Sequence, residues 1–167
     1  MGHTYAVDSE WLGMRTFRCN LDLCKSTDNK FRWDEDVDGT KFSLYVPKLR
    51  VPEPTPPMIG IKLYDATGLD PSQQLTPVQR AALLKAGMAD EQVSELDKWL
   101  PVSATKEPHS DRPIIAAVKF YKIHTQTVRY KPIGDPESWE IGEPYVPISA
   151  LPFDYPLQLI LRVTWMY

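Results

Sequence analysis

Apolar and polar residues alternate at every second position over several stretches of this chain, the period of a half-buried β-strand. The clearest case runs from Phe31 to Val46. Phe31 and Trp33 lie on one arm and Phe42, Leu44 and Val46 on the other, with Asp38-Gly39 between them. Asp-Gly supplies the positive φ angles that a two-residue hairpin turn demands, so the pattern predicts a hairpin with one buried face. Comparable runs predict strands near residues 15–24, 31–37, 41–47, 58–64, 114–123, 126–131 and 157–167. The last of these is apolar on both faces. That predicts either a central strand or an edge covered by a neighbouring chain.

The period changes to that of a helix between Leu75 and Leu100. Thr76 predicts a cap with Pro77 in the first turn, Gly87 a stop, Asp90 a second cap and Pro101 the end of the second helix. Val78, Ala82, Leu83 and Ala86 form the expected apolar stripe of the first helix. Val93, Leu96, Trp99 and Leu100 form that of the second. The segment reads as a helical hairpin inserted at about residues 75–100.

Sliding the chain against itself by one hundred residues brings Tyr45-Val46-Pro47, Pro52, Pro56 and Ile59 onto Tyr145-Val146-Pro147, Pro152, Pro156 and Leu159. Each copy would be a strand end, an extended proline-marked crossing and another strand. This suggests an internal repeat, two similar β units flanking the helical insert. Against it, proline-rich stretches align easily and the segments upstream match poorly.

Composition sharpens the fold class. Sixteen prolines against eight glycines, placed between apolar runs, mark strand ends and loops rather than a disordered tract. With 43% hydrophobic and 25% charged residues, a chain of 167 residues is expected to fold as a single domain with one sizeable core. The expected architecture is mainly β and mostly antiparallel, a β-sandwich or partly open barrel of about seven or more strands. Cys19 and Cys24 are separated by an odd interval, which sends them to opposite faces of one strand and argues against a disulfide. No apolar run is long enough to span a bilayer, and the N-terminal residues, with Asp8 and Glu10, do not read as a signal peptide. The expectation is a soluble, cytoplasmic protein that uses no membrane.

Candidate chemistry is sparse. Asp34-x-Asp36-x-Asp38-Gly39 has the oxygen spacing that opens a calcium loop, but Tyr45 stands where the closing glutamate belongs. Calcium is the one cofactor the sequence admits, and a solvated acidic hairpin is the simpler explanation. The helical pair resembles a helix-turn-helix in outline only. Its second helix carries Asp90, Glu91, Glu95 and Asp97 against Lys98, and such a surface repels phosphate. Basic and aromatic residues interleave from Lys119 to Lys131, where Lys119, Tyr121, Lys122, His124, Arg129 and Lys131 are candidates for nucleic-acid contact. Simple alternation puts Lys119, Tyr121 and Ile123 on one face and Phe120, Lys122 and His124 on the other. The net charge of −3 gives no overall attraction to phosphate, so such binding needs a local patch.

His3, His109 and His124 are scattered, and no linear catalytic motif accompanies them. The leading expectation is a non-catalytic binding or assembly protein that works through protein contacts, with a protein partner or a second copy of itself. Trp99, Trp165 and Tyr167 are the candidate contact residues. A nucleic-acid-binding barrel is the first alternative, and a hydrolase with a site assembled from distant residues the second.

Overall fold

The computed structural model describes residues 10–11, 16–104, 107–151 and 155–167, the first two by backbone alone. The N-terminal stretch with His3, the expected strand start at Arg15, and Pro152 lie outside them. Strands β1 (Glu10–Trp11), β2 (Thr16–Ser26), β3 (Lys30–Val37), β4 (Thr40–Pro47) and β5 (Met58–Asp65) precede helices α1 (Pro77–Lys85) and α2 (Asp90–Trp99). Strands β6 (Ile114–Ile123), β7 (Thr127–Pro132), β8 (Tyr145–Pro147) and β9 (Gln158–Met166) follow.

The strands are ordered β1-β2-β3-β4-β8-β7-β6-β9-β5, every pairing is antiparallel, and β5 returns to β2 through pairs running from Thr16↔Tyr64 to Asp22↔Met58. Strands β2 to β9 therefore close on themselves. The mainly β class stands, and of the two architectures expected the molecule takes the barrel, fully closed rather than partly open. An eight-stranded barrel is just wide enough for side chains to fill. Phe17 and Leu21 of β2, Trp33 of β3, Phe42 of β4, Ile61 of β5 and Leu161 of β9 belong to that buried interior. Asp38 and Gly39 take φ of 54° and 85°, the pair of positive angles the predicted hairpin turn requires.

Two connections, β4 to β5 and β8 to β9, send Val51 and Leu151 into this same core. Their local bonding matches. Val51 N–H donates to Lys48 O and Leu151 N–H to Ile148 O; Leu23 N–H donates to Pro57 O and Phe120 N–H to Leu157 O. Trp33 Nε1–H donates to Pro56 O at 3.1 Å, and Tyr130 O–H to Pro156 O at 2.9 Å. A buried ring from the barrel wall thus holds each crossing by a carbonyl that water does not reach.

The helical hairpin covers one side of the wall. Tyr64, Ala117 and Ile160, facing outward from β5, β6 and β9, pack with Leu83, Val93, Leu96 and Leu100 in a second cluster. This accounts for the apolar character of the final strand: β9 lies between β6 and β5, with one face in the barrel and part of the other under the helices. The anchor is polar as well. Lys62 Nζ reaches Glu95 at 2.6 Å, Tyr64 O–H donates to the same carboxylate, and the Arg162 guanidinium lies 4.4 Å from the centre of the Trp99 ring. Burial pushes the Glu95 carboxyl up, yet its bonds to Lys62 and Tyr64 outweigh that and hold it below the ordinary carboxylate range.

Two helical details depart from the sequence reading. Thr76 caps α1 in a reciprocal box with Gln79, but only Leu83 of the expected stripe is buried, and Val78 is 78% exposed. Nine residues give about two and a half turns, and α1 adds only Leu83 to the cluster on the wall, where α2 adds Val93 and Leu96. Ala89, not Asp90, occupies the cap position of α2, which leaves Asp90 and Glu91 in the first turn, where their charges oppose the helix dipole favourably.

Candidate binding face on the barrel wall

Strand β6 carries a bulge between Phe120 and Lys122. One extra residue shifts the alternation by one position, so the face assignment expected from strict period two fails beyond Phe120. Lys119 stands opposite Lys131, and Lys122 opposite Arg129. Directly paired residues share a face, and the neighbours Val128 and Tyr130 point into the core, so all four cations project from the outer wall. No carboxylate occurs within β6, β7 or β8.

Tyrosines punctuate these cations. Tyr121, at the bulge, and Tyr145, on β8, are 49% and 38% exposed. The Arg129 guanidinium lies 4.9 Å from the Tyr121 ring centre and 5.5 Å from that of Tyr145. Lys131 Nζ is 4.3 Å from Tyr121, and the His124 ring packs against Tyr145 at 5.5 Å. Glu143, just ahead of β8, accepts from Arg129 Nε at 2.6 Å; this bond pushes the guanidinium above its ordinary value. Arg129 is thus fixed between two rings by one carboxylate.

The candidate residues between Lys119 and Lys131 are therefore gathered on one face. Sequence reasoning missed Tyr145 and Glu143 at this face, because they come from a third strand and the residues just before it, which a hairpin pattern does not reveal. The other candidates are placed differently. Trp165 packs 6.2 Å from Trp33 and donates Nε1–H to Arg112 O, while Trp99 stands edge-on to Tyr64 at 5.1 Å. Both are engaged within the chain. Tyr167 is 73% exposed, with its hydroxyl on Pro54 O.

Asp34, Asp36 and Asp38 do not converge. Asp34 is buried beside Arg32 at 3.1 Å, Asp36 is exposed on the strand and Asp38 sits in the turn. Burial raises the Asp34 carboxyl, but Cys24, Ser43 and Arg32 together hold it below the usual range. Among the described residues, no group of three His, Cys, Asp or Glu side chains is placed to hold a metal ion.

Concave regions lie elsewhere among the described residues. A cleft lined by Leu49, Glu107, Asp135, Glu137, Trp139 and others is floored by the buried pair Arg50–Glu140. A smaller pocket lies between Val102, Ile115 and Trp139. A groove beside Pro52–Pro54 brings His109 near Glu53 and Asp111. There His109 Nδ1 contacts Val51 O at 2.9 Å, and Nε2 stands 3.7 Å from Glu53, longer than a hydrogen bond. His124 is on the other side of the chemistry, against Tyr145.

The fold and the face together define a class: a closed antiparallel barrel, filled by its own side chains, with a cationic and aromatic patch on its outer wall. No family description, no curated protein and no solved structure is significantly similar to this chain. Among the described residues, no helix is long and apolar enough to cross a membrane.

Proposed function

We propose that this chain is a non-catalytic binding protein whose working surface is the outer face of β6, β7 and β8, and whose partner is polyanionic. One observation carries the reading: two like-charge pairs, Lys119 with Lys131 and Lys122 with Arg129, sit directly across from each other on adjacent strands. Like charges so placed destabilise a sheet by a few tenths to about 1 kcal/mol each. Glu143 pairs with Arg129, but β6, β7 and β8 themselves contain no carboxylate, so the three lysines of this surface gain from an external anion. The chain as a whole carries −3, so an anionic partner is repelled elsewhere and steered to this patch.

The sheet-edge contact expected from the final strand loses its support, since β9 is covered within the chain. Partner binding therefore rests on the face. The test is retention on immobilised heparin at low salt. Wild-type protein is expected to be held and then eluted by salt. Lys119→Glu/Lys131→Glu is expected to flow through, and Lys85→Glu/Lys98→Glu, with the same net charge, to be held as the wild type is. Equal behaviour of all three proteins would overturn the proposal.

A further inference from the structure

We infer that the partner is a single-stranded nucleic acid whose bases stack on Tyr121 and Tyr145 while its phosphates meet the surrounding cations. This rests on the reading that the β6–β7–β8 face is the binding surface, and it names the ligand.

The argument comes from the alternation of chemistry across the strands. Arg129 on β7 lies between two rings, Tyr121 at the β6 bulge and Tyr145 directly across on β8. Neighbouring strands are about 4.8 Å apart, so the two rings stand roughly 10 Å from each other with a guanidinium between them. Lys119 and Lys131 form the next cross-strand pair beyond Tyr121, and Lys122 lies directly across from Arg129. A flexible polymer alternating flat bases with phosphates matches that arrangement. A sulfated or carboxylated chain would use the cations and leave the rings idle. A duplex presents its phosphates but keeps its base faces stacked inside, beyond reach of a tyrosine on a convex wall. A membrane would call for apolar side chains that insert, and the face offers cations and phenols instead.

The geometry also explains why these tyrosines are exposed. Inward-facing aromatic residues such as Phe120 and Tyr130 already fill this part of the core, packing edge-on at 6.2 Å. Tyr121 stands out of the wall because the bulge adds a residue there. Substituting it leaves the interior intact, which makes it a clean probe.

The experiment is fluorescence anisotropy with a labelled oligothymidine of about 15 nucleotides, a duplex of the same length, heparin and poly-glutamate. Wild type is expected to bind the single strand at least about tenfold more tightly than the duplex or poly-glutamate, with a log-log salt slope of about −2 to −3 for four cations. Stacking supplies about 1–3 kcal/mol per base, so Tyr121→Ala and Tyr145→Ala should each weaken the oligonucleotide by roughly 5- to 160-fold. Heparin affinity should stay within about twofold, and Tyr121→Phe, which keeps the ring, should bind as wild type does. Equal affinity for single strand and duplex, or alanine variants that lose heparin and oligonucleotide in parallel, would overturn the stacking inference while leaving the cationic face standing. Tighter binding of poly-glutamate would replace the nucleic acid by an acidic protein. No binding of any polyanion by wild type would remove both readings.

Discussion

Arg50→Ala is expected to destabilise the protein by about 3–5 kcal/mol, a third or more of the stability of an ordinary domain. Arg50 is 6% exposed and Glu140, its partner at 2.5 Å, is 9% exposed. The guanidinium also donates to Ser110 O and Arg112 O, both at 2.7 Å, and lies 5.9 Å from the centre of the Trp165 ring. One side chain thereby ties together the β4–β5 crossing, the segment leading into β6 and the connection between β7 and β8. Truncation removes the guanidinium from the buried Glu140 carboxylate and from Ser110 O, so the desolvation already incurred by those groups is less well offset, while Arg112 O keeps the Trp165 Nε1–H. Glu140→Gln keeps the shape and an acceptor, so it should cost less, about 1–3 kcal/mol. Urea unfolding followed by tryptophan fluorescence measures both. A loss below about 1 kcal/mol for Arg50→Ala would mean that this cluster does not hold the end of the barrel.

Trp33→Ala should cost a similar amount, about 3–5 kcal/mol, for a different reason. The indole is fully buried, touches Phe31 and Trp165, and donates to the Pro56 carbonyl. Removing it opens a cavity in a barrel whose rigid walls cannot collapse to fill it. Trp33→Phe recovers most of the packing and loses the donor, so it separates the two contributions: the orphaned carbonyl should account for about 1–3 kcal/mol. Tyr130 occupies the matching place under the second crossing, and Tyr130→Phe should cost about 1 kcal/mol. If Trp33→Phe were as damaging as Trp33→Ala, the hydrogen bond rather than the packed ring would be holding the crossing.

Much of this was legible locally. Alternation located the strands to within a few residues, Asp38-Gly39 announced its turn, and Thr76 and Gly87 bounded α1, because each of these depends on neighbours in the chain. Closure was not legible. Whether β2 meets β5 depends on pairs such as Cys19↔Ile61 that no local pattern encodes, and a sandwich and a barrel share the same alternation. Arg50 and Glu140, ninety residues apart, carried no signal of their meeting.

The candidate face was half legible. Lys119 to Lys131 stood out because one hairpin carries them all. The bulge at Tyr121 was hidden, since a single inserted residue leaves composition unchanged while turning Lys122 to the outer side. Tyr145 lies in β8, read from sequence as a strand end, and Glu143 just ahead of it; that this short strand pairs with β7 beside Arg129 carried no local signal. Trp99 and Trp165, read from sequence as contact residues, also make ring contacts within the chain, with Tyr64 and Trp33, that no local pattern announces.

The most direct measurement is a two-dimensional amide NMR titration of the wild-type protein with a short heparin oligosaccharide. Shifts concentrated at Lys119, Lys122, Arg129, Lys131 and Tyr145 are predicted, with the helical hairpin and the Arg50 cleft unmoved. Shifts confined to α1, α2 or the residues around Glu137 and Trp139 would contradict the assignment of the β6–β7–β8 face as the binding surface.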